Sequence, residues 1–217
     1  MSSPETPAGL AHQFDSYEQQ RSAASLGMWV FIAQEVMFFG GLFLAYAVYR
    51  WLYPGGFMAG SRHLDVVLGT VNTAVLLGSS LSMALAVRGV QTGRSKAAAV
   101  LLIVTMVLGA IFLGIKFDEY HHKFTERLVP GPLFQATGPD ARGMQLFFSL
   151  YFAMTGLHAL HMIIGILVLA GLVIPTWRGR FTPENFNFVE NTGLYWHFVD
   201  VVWIFLFPLL YLVGRHG

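Results

Sequence analysis

The sequence contains no cysteine. Thiolate nucleophiles, disulfide frameworks and cysteine-ligated zinc are therefore excluded. Charge is almost as scarce: Asp, Glu, Lys and Arg make up 12% of the residues, and the formal net charge is +1. No basic stripe appears, so no nucleic-acid partner is expected. No segment repeats at a fixed period, which argues against an inverted-repeat transporter. The opening residues also lack the basic start of a cleavable leader. Glu5, Asp15 and Glu18 are acidic, and Arg21 is the first Lys or Arg. The hydrophobic run that follows is too long for a leader core, so it is expected to stay as a membrane span.

What the sequence does have is apolar surface. Hydrophobic residues make up 55% of the chain, more than a soluble domain needs. Runs of about 20 apolar residues are long enough to cross a bilayer. Five can be marked here, at about 22–51, 64–87, 97–117, 143–174 and 191–214. The expected fold is all-α: a polar tail over 1–21, with a short surface helix near 14–20, and a five-helix transmembrane domain over 22–217. Tyr53, Pro54, Gly55 and Gly56 form a turn signal after span one. Tyr49, Trp51 and Tyr53 mark one membrane interface and Trp29 the other. The Pro- and Gly-rich segment 123–141 reads as the longest loop, with Pro130, Gly131, Pro132, Gly138 and Pro139 breaking regular structure. Span four is expected to end at Pro175, and Pro208 to kink span five. Five crossings place the termini on opposite faces, but the Lys and Arg counts on the two faces do not orient the chain.

Glu35 is the only charged residue between Ser22 and Tyr49. A carboxylate near mid-membrane costs about 3 kcal/mol on insertion scales. It is therefore expected to be protonated, paired or turned into the bundle. Phe31, Ile32, Phe38 and Phe39 share its helix face. Two readings stay open: a hydrogen-bonded interior acid, and a functional proton or lipid site.

The later spans carry the other polar groups. His158 and His161 lie three apart on one helix face and, opposite His197, could ligate a metal. The alternative is neutral histidines making interhelical hydrogen bonds. His197 and Asp200 also share a face and read as an internal pair. Asn72, with the serines and threonines of span two, suits close helix packing. The cluster Asp118, Glu119, Tyr120, His121 and His122 reads as a solvated cap at the membrane edge.

Several stretches together resemble subunit III of the haem–copper oxidases. They are LGMWVFIAQEVMFF at 26–39, VNTAVLLGSS at 71–80, the Glu119 and Tyr120 helix end, TGLHALHMIIG at 155–165 and YWHFVDVVW at 195–203. They occur in the family's order and cover nearly everything after residue 20, and the last two are the most specific. The resemblance implies an accessory subunit without haem or copper, beside a catalytic subunit I that holds them, with subunit II in the same complex and sometimes a larger respiratory supercomplex around it. It further implies phospholipid binding, support of proton uptake by subunit I, and a bacterial cytoplasmic membrane with the amino terminus cytoplasmic and the carboxy terminus periplasmic.

On this resemblance Glu35 matches the family's carbodiimide-reactive carboxylate. Asn72, His158, His161, His197 and Asp200 form an intramembrane polar network. Trp29, Arg178, Arg180 and Trp196 are candidates for lipid contact, and no residue is assigned to a metal. Only the last five of the seven helices of long members are matched, so the lipid cleft that the first two complete is left open. Short members serve cytochrome c oxidases and quinol oxidases, and a related protein accompanies nitric oxide reductases. An independent proton or ion transporter built on the intramembrane acids and histidines is the reading from another class. A membrane metalloenzyme built on the three histidines is a third.

Overall fold

A computed structural model describes residues 13–131, 134–135, 139–182 and 185–215. Six α-helices follow one another: α1 Tyr17–Leu52, α2 Pro54–Arg62, α3 Val66–Gln91, α4 Ser95–Thr125, α5 Ala141–Trp177 and α6 Asn187–Phe207. A π-helical turn, Pro208–Leu212, and a 3-10 turn, Val213–Arg215, complete them. The described residues form no strand, only an isolated bridge between Thr182 and Asn185. Five segments are long and apolar enough to cross a membrane: α1, α3, α4, α5 and Asn187–Leu212. The all-α, five-span reading is thus the fold, and the chain is a multi-pass membrane protein.

Local chemistry sets the helix ends. Ser16 accepts a hydrogen bond from the Gln19 amide, so α1 starts at Tyr17 and takes in part of the expected tail. Asp65 caps α3 through the amides of Val67 and Leu68. Gly93 (φ 73°) and Gly179 (φ 70°) turn the chain after α3 and α5. Span four does not stop at Pro175. α5 runs on to Trp177, as helices within membranes often do past a proline. At Pro208 the α-helical pattern does give way, and the chain continues as the π-helical turn. Of the expected breakers in 123–141, Pro132 and Gly138 lie outside the described residues; Pro130, Gly131 and Pro139 are non-helical.

The signal at Tyr53–Gly56 is more than a turn. Pro54 takes the first position of α2, where its missing N–H costs nothing. The glycines of α2 serve close packing on α5. A Cβ on Gly56 would lie 2.5 Å from the Gly143 backbone, and one on Gly60 would lie 2.4 Å from the Phe147 ring.

α6 is the central helix, with 56% of its most apolar stretch buried against 6% for α1. α3 packs on α4 and α6, α5 on α4 and α6, and α1 lies outermost against α5 and α6. This alternation of five spans gives a direct test. The chain has no cysteine, so each introduced one is unique. Cysteines at Thr92 and Thr182 should label with a membrane-impermeant reagent from one face, and those at His63 and Gln135 from the other. Labelling of all four from one face would contradict the topology.

Candidate functional site

Three helices meet at Glu35. α1 presents its carboxylate to His161 of α5, with Glu35 Oε2 3.3 Å from His161 Nε2. Each side chain is only 13% exposed. The other ring nitrogen, Nδ1, lies 2.8 Å from the Leu157 carbonyl, one turn back along α5. A carbonyl cannot donate, so Nδ1 carries the proton of that bond. The imidazole thus stands at ion-pair distance from the carboxyl, and having such a partner is how an acid is tolerated at this depth.

Aromatic rings from α1 and α6 close the site. Phe39 lies 5.6 Å from the His161 ring and Tyr195 lies 6.4 Å from it. Tyr195 donates its hydroxyl to the His161 carbonyl at 2.9 Å. Phe39 is buried, and Phe31 and Ile32 are half-buried. Phe38, expected on the Glu35 face, points mostly outward.

The other intramembrane polar residues do not join Glu35 or one another in a single network. His158 and His161 point to different neighbours, since three helical positions separate them by about 60° around the axis. His158 is buried between Phe112 and Trp203, at ring distances of 5.3 Å and 5.2 Å. Neither of its nitrogens has a hydrogen-bond partner. His197 Nδ1 meets Ser80 Oγ at 2.8 Å rather than Asp200. Both polar atoms of Asn72 are buried without a hydrogen-bond partner, and the buried Asp200 carboxyl lies next to the same Ser80. Among the described residues no three His, Cys, Asp or Glu side chains gather as a metal site would require.

A second polar cluster lies at the end of α4. The Asp118–His122 segment is only half a solvated cap. Asp118 and His122 pair at the surface at 3.4 Å, but Glu119 turns inward and is buried. There it meets Lys116, equally buried, at 3.1 Å. Lys116 spends its three donors on Glu119 Oε2, Tyr151 Oη and Tyr211 Oη, at 3.1, 3.1 and 2.8 Å. Both tyrosines donate onward to Glu119 Oε1, at 2.8 and 2.7 Å. α4, α5 and the π-helical turn are thus tied together by one satisfied ionic network. The available signal was the i, i+3 spacing of Lys116 and Glu119 at the end of an apolar run.

Of the candidates for lipid contact, Trp29 is 57% exposed and lines a polar hollow of about 240 Å³ with Arg21, Asn187 and Glu190. Arg21 and Glu190 pair across it at 3.6 Å. Arg180 lines an open hollow of about 550 Å³ with Gly171, Pro175, Phe181 and Phe188, and Arg178 is exposed nearby in the same turn. Trp196 is different. It is fully buried, with its N–H on Ser79 Oγ at 2.9 Å and its ring wedged against Gly109 and Gly165. It belongs to the bundle interior.

Residues 13–215 match the family described as Cytochrome c oxidase subunit III. The Bacillus subtilis protein named quinol oxidase subunit 3 is 32% identical over 192 residues, covering 88% of each chain. Cytochrome c oxidase subunit 3 of Thermostichus vulcanus is 32% identical over 212 residues, covering 95% of this chain and 96% of the relative. An Aeropyrum pernix protein named heme-copper oxidase subunit I+III is 34% identical over 215 residues, or 96% of this chain and 24% of that longer one.

Proposed function

The chain belongs to the cytochrome c oxidase subunit III family, and from that premise we propose that it is the non-redox accessory subunit of a proton-pumping haem–copper terminal oxidase. Its main partner is subunit I, with subunit II in the same complex, in the cytoplasmic membrane of a bacterium. The amino terminus is cytoplasmic on this reading. The observation that carries the proposal is the family match over 13–215, in a chain whose lone mid-membrane acid on α1 sits against His161. The fused relative supports the choice of partner, since its name joins subunits I and III in one polypeptide. Cytochrome c oxidase is the preferred complex. The quinol oxidase named among the relatives is the second reading, and both predict the same role for this chain.

In this role the bundle supplies shape and surface rather than electron transfer. It braces subunit I and keeps proton uptake steady through many turnovers. Phospholipid phosphate is held near Arg178 and Arg180, with Trp29 at the same membrane interface. Tagged chain extracted in mild detergent should bring down a large polypeptide with haem and copper. Recovery of the chain alone, with no haem in the eluate, would refute the assignment.

The Glu35 pair gives a sharper check. A carbodiimide that partitions into membranes should modify wild-type chain at Glu35, because carbodiimides attack a carboxyl that has a proton close by. Glu35→Gln should abolish labelling while the complex still assembles, since a glutamine amide can donate to His161 Nε2. Labelling that persists in Glu35→Gln would move the reactive acid elsewhere.

A further inference from the structure

We propose a second phospholipid site, for an anionic headgroup, in the groove between α1 and the end of the chain. The groove is an open hollow of about 970 Å³ lined by Tyr46, Ala47 and Arg50 of α1, Met58 of α2, and Leu209 and Leu212 of the π-helical turn, among others. It lies at the end of α1 opposite Trp29, so the hollow beside Arg180 is a different place.

Three features make the groove and name its occupant. The first is why it stays open. At Pro208 the chain leaves the α-helical path, so α1 and α6 do not close on each other there. Tyr46 donates its hydroxyl to the Leu209 carbonyl, and that bond bridges the two walls while Ala47 leaves space beside it. The second is depth. Tyr49, Trp51 and Tyr53 place the mouth at the headgroup level, and Tyr46 and Ala47 carry the groove toward the hydrocarbon. Water in such an apolar groove is unfavourable, and an acyl chain fits its walls.

The third feature is charge. The groove residues include one ionisable cation, Arg50, and no carboxylate. Arg50 has no ion-pair partner among the described residues. A second guanidinium, Arg62, stands behind Met58, with its Nη2 3.8 Å from the Met58 sulfur and its Nε 3.3 Å from the Gly214 carbonyl. An apolar slot with arginine at its interfacial mouth complements a phosphate ester carrying hydrocarbon, and guanidinium binds phosphate through parallel N–H bonds. The anionic character of the lipid follows from the uncompensated charge. The site requires only that the chain be inserted in a membrane, so it stands independently of the oxidase assignment.

The experiment is lipid counting by native mass spectrometry on full-length chain, released from nanodiscs containing phosphatidylglycerol and phosphatidylcholine. Wild type and Arg180→Gln should both retain a phospholipid that Ala47→Trp loses. Ala47 is exposed, so the larger side chain fills the groove without entering the core, and Ala47→Phe serves if the first variant inserts poorly. Arg50→Gln should keep the lipid but lose about fivefold of its preference for phosphatidylglycerol, the loss expected for one basic residue at the headgroup level. Equal lipid counts in wild type and the Ala47 variants would overturn the site. So would an unchanged headgroup preference in Arg50→Gln, or a photo-crosslinker at Met58 that captures a polypeptide instead of lipid.

Discussion

Lys116→Met should destabilise the folded chain by about 3–5 kcal/mol, the usual cost of removing one member of a buried ion pair. Glu119 would be left inside the bundle with its counter-charge gone and only two tyrosine hydroxyls to hold it. The loss also reaches further than α4. Tyr211 lies in the π-helical turn, and its two polar partners are Lys116 and Glu119. The segment after Phe207 should therefore loosen and become open to a protease added from that face. The double change Lys116→Met with Glu119→Leu removes both charges and should recover much of the stability, because two apolar side chains can occupy that volume without a desolvation penalty. Thermal unfolding of wild type, Lys116→Met, Glu119→Leu and the double variant in detergent closes this double-mutant cycle. Equal stability of wild type and Lys116→Met would show that the pair contributes nothing. A double variant as damaged as the single would assign the cost to packing rather than charge.

Removing the whole chain from its complex should have the largest functional effect, and one spread over time. The bundle has a carboxyl–imidazole pair at Glu35 and His161 and a satisfied network at Lys116, and on the proposed role it carries no electrons. The oxidase stripped of this chain should therefore keep its haem spectrum and start at a substantial rate. On the proposed role, what it loses is a brace along subunit I. We propose α1 as the contact, since it is the least covered of the five spans and a Cβ added at Gly40 or Gly41 would meet nothing within 4 Å. Small residues of this kind let a partner helix come close, and close packing drives association in lipid. A spectrum altered on stripping would instead place this chain next to the redox centres.

How much of this was legible in the sequence varies from residue to residue. The five spans were, because twenty apolar residues in a row have few other uses. Glu35 stood out as a lone acid in such a run, but its partner did not. Periodicity says which face a residue is on, not which helix comes to that face. His161 was therefore grouped with His158 and His197, when interhelical packing sends the three to Glu35, an aromatic pocket and Ser80. Helix α2 was hidden because its Pro and Gly residues are poor formers in isolation, and tertiary contact with Gly143 and Phe147 overrides that preference. Lys116 is passed over, and Glu119 reads as part of a solvated cap, for the opposite reason. Charges near a span's end usually reach water, and only Tyr151 and Tyr211, from two other elements, show that these reach inward.

The central claim is that this chain sustains proton uptake by its partner without carrying electrons. Oxygen consumption followed through many turnovers tests it most directly, comparing the intact complex, the complex gently stripped of this chain, and the stripped complex with the chain restored. A slightly alkaline medium makes proton uptake hardest and the comparison most sensitive. The account predicts slower initial turnover after stripping, then progressive loss of activity, with both reversed on restoration. Identical rates and lifetimes with and without the chain would contradict it.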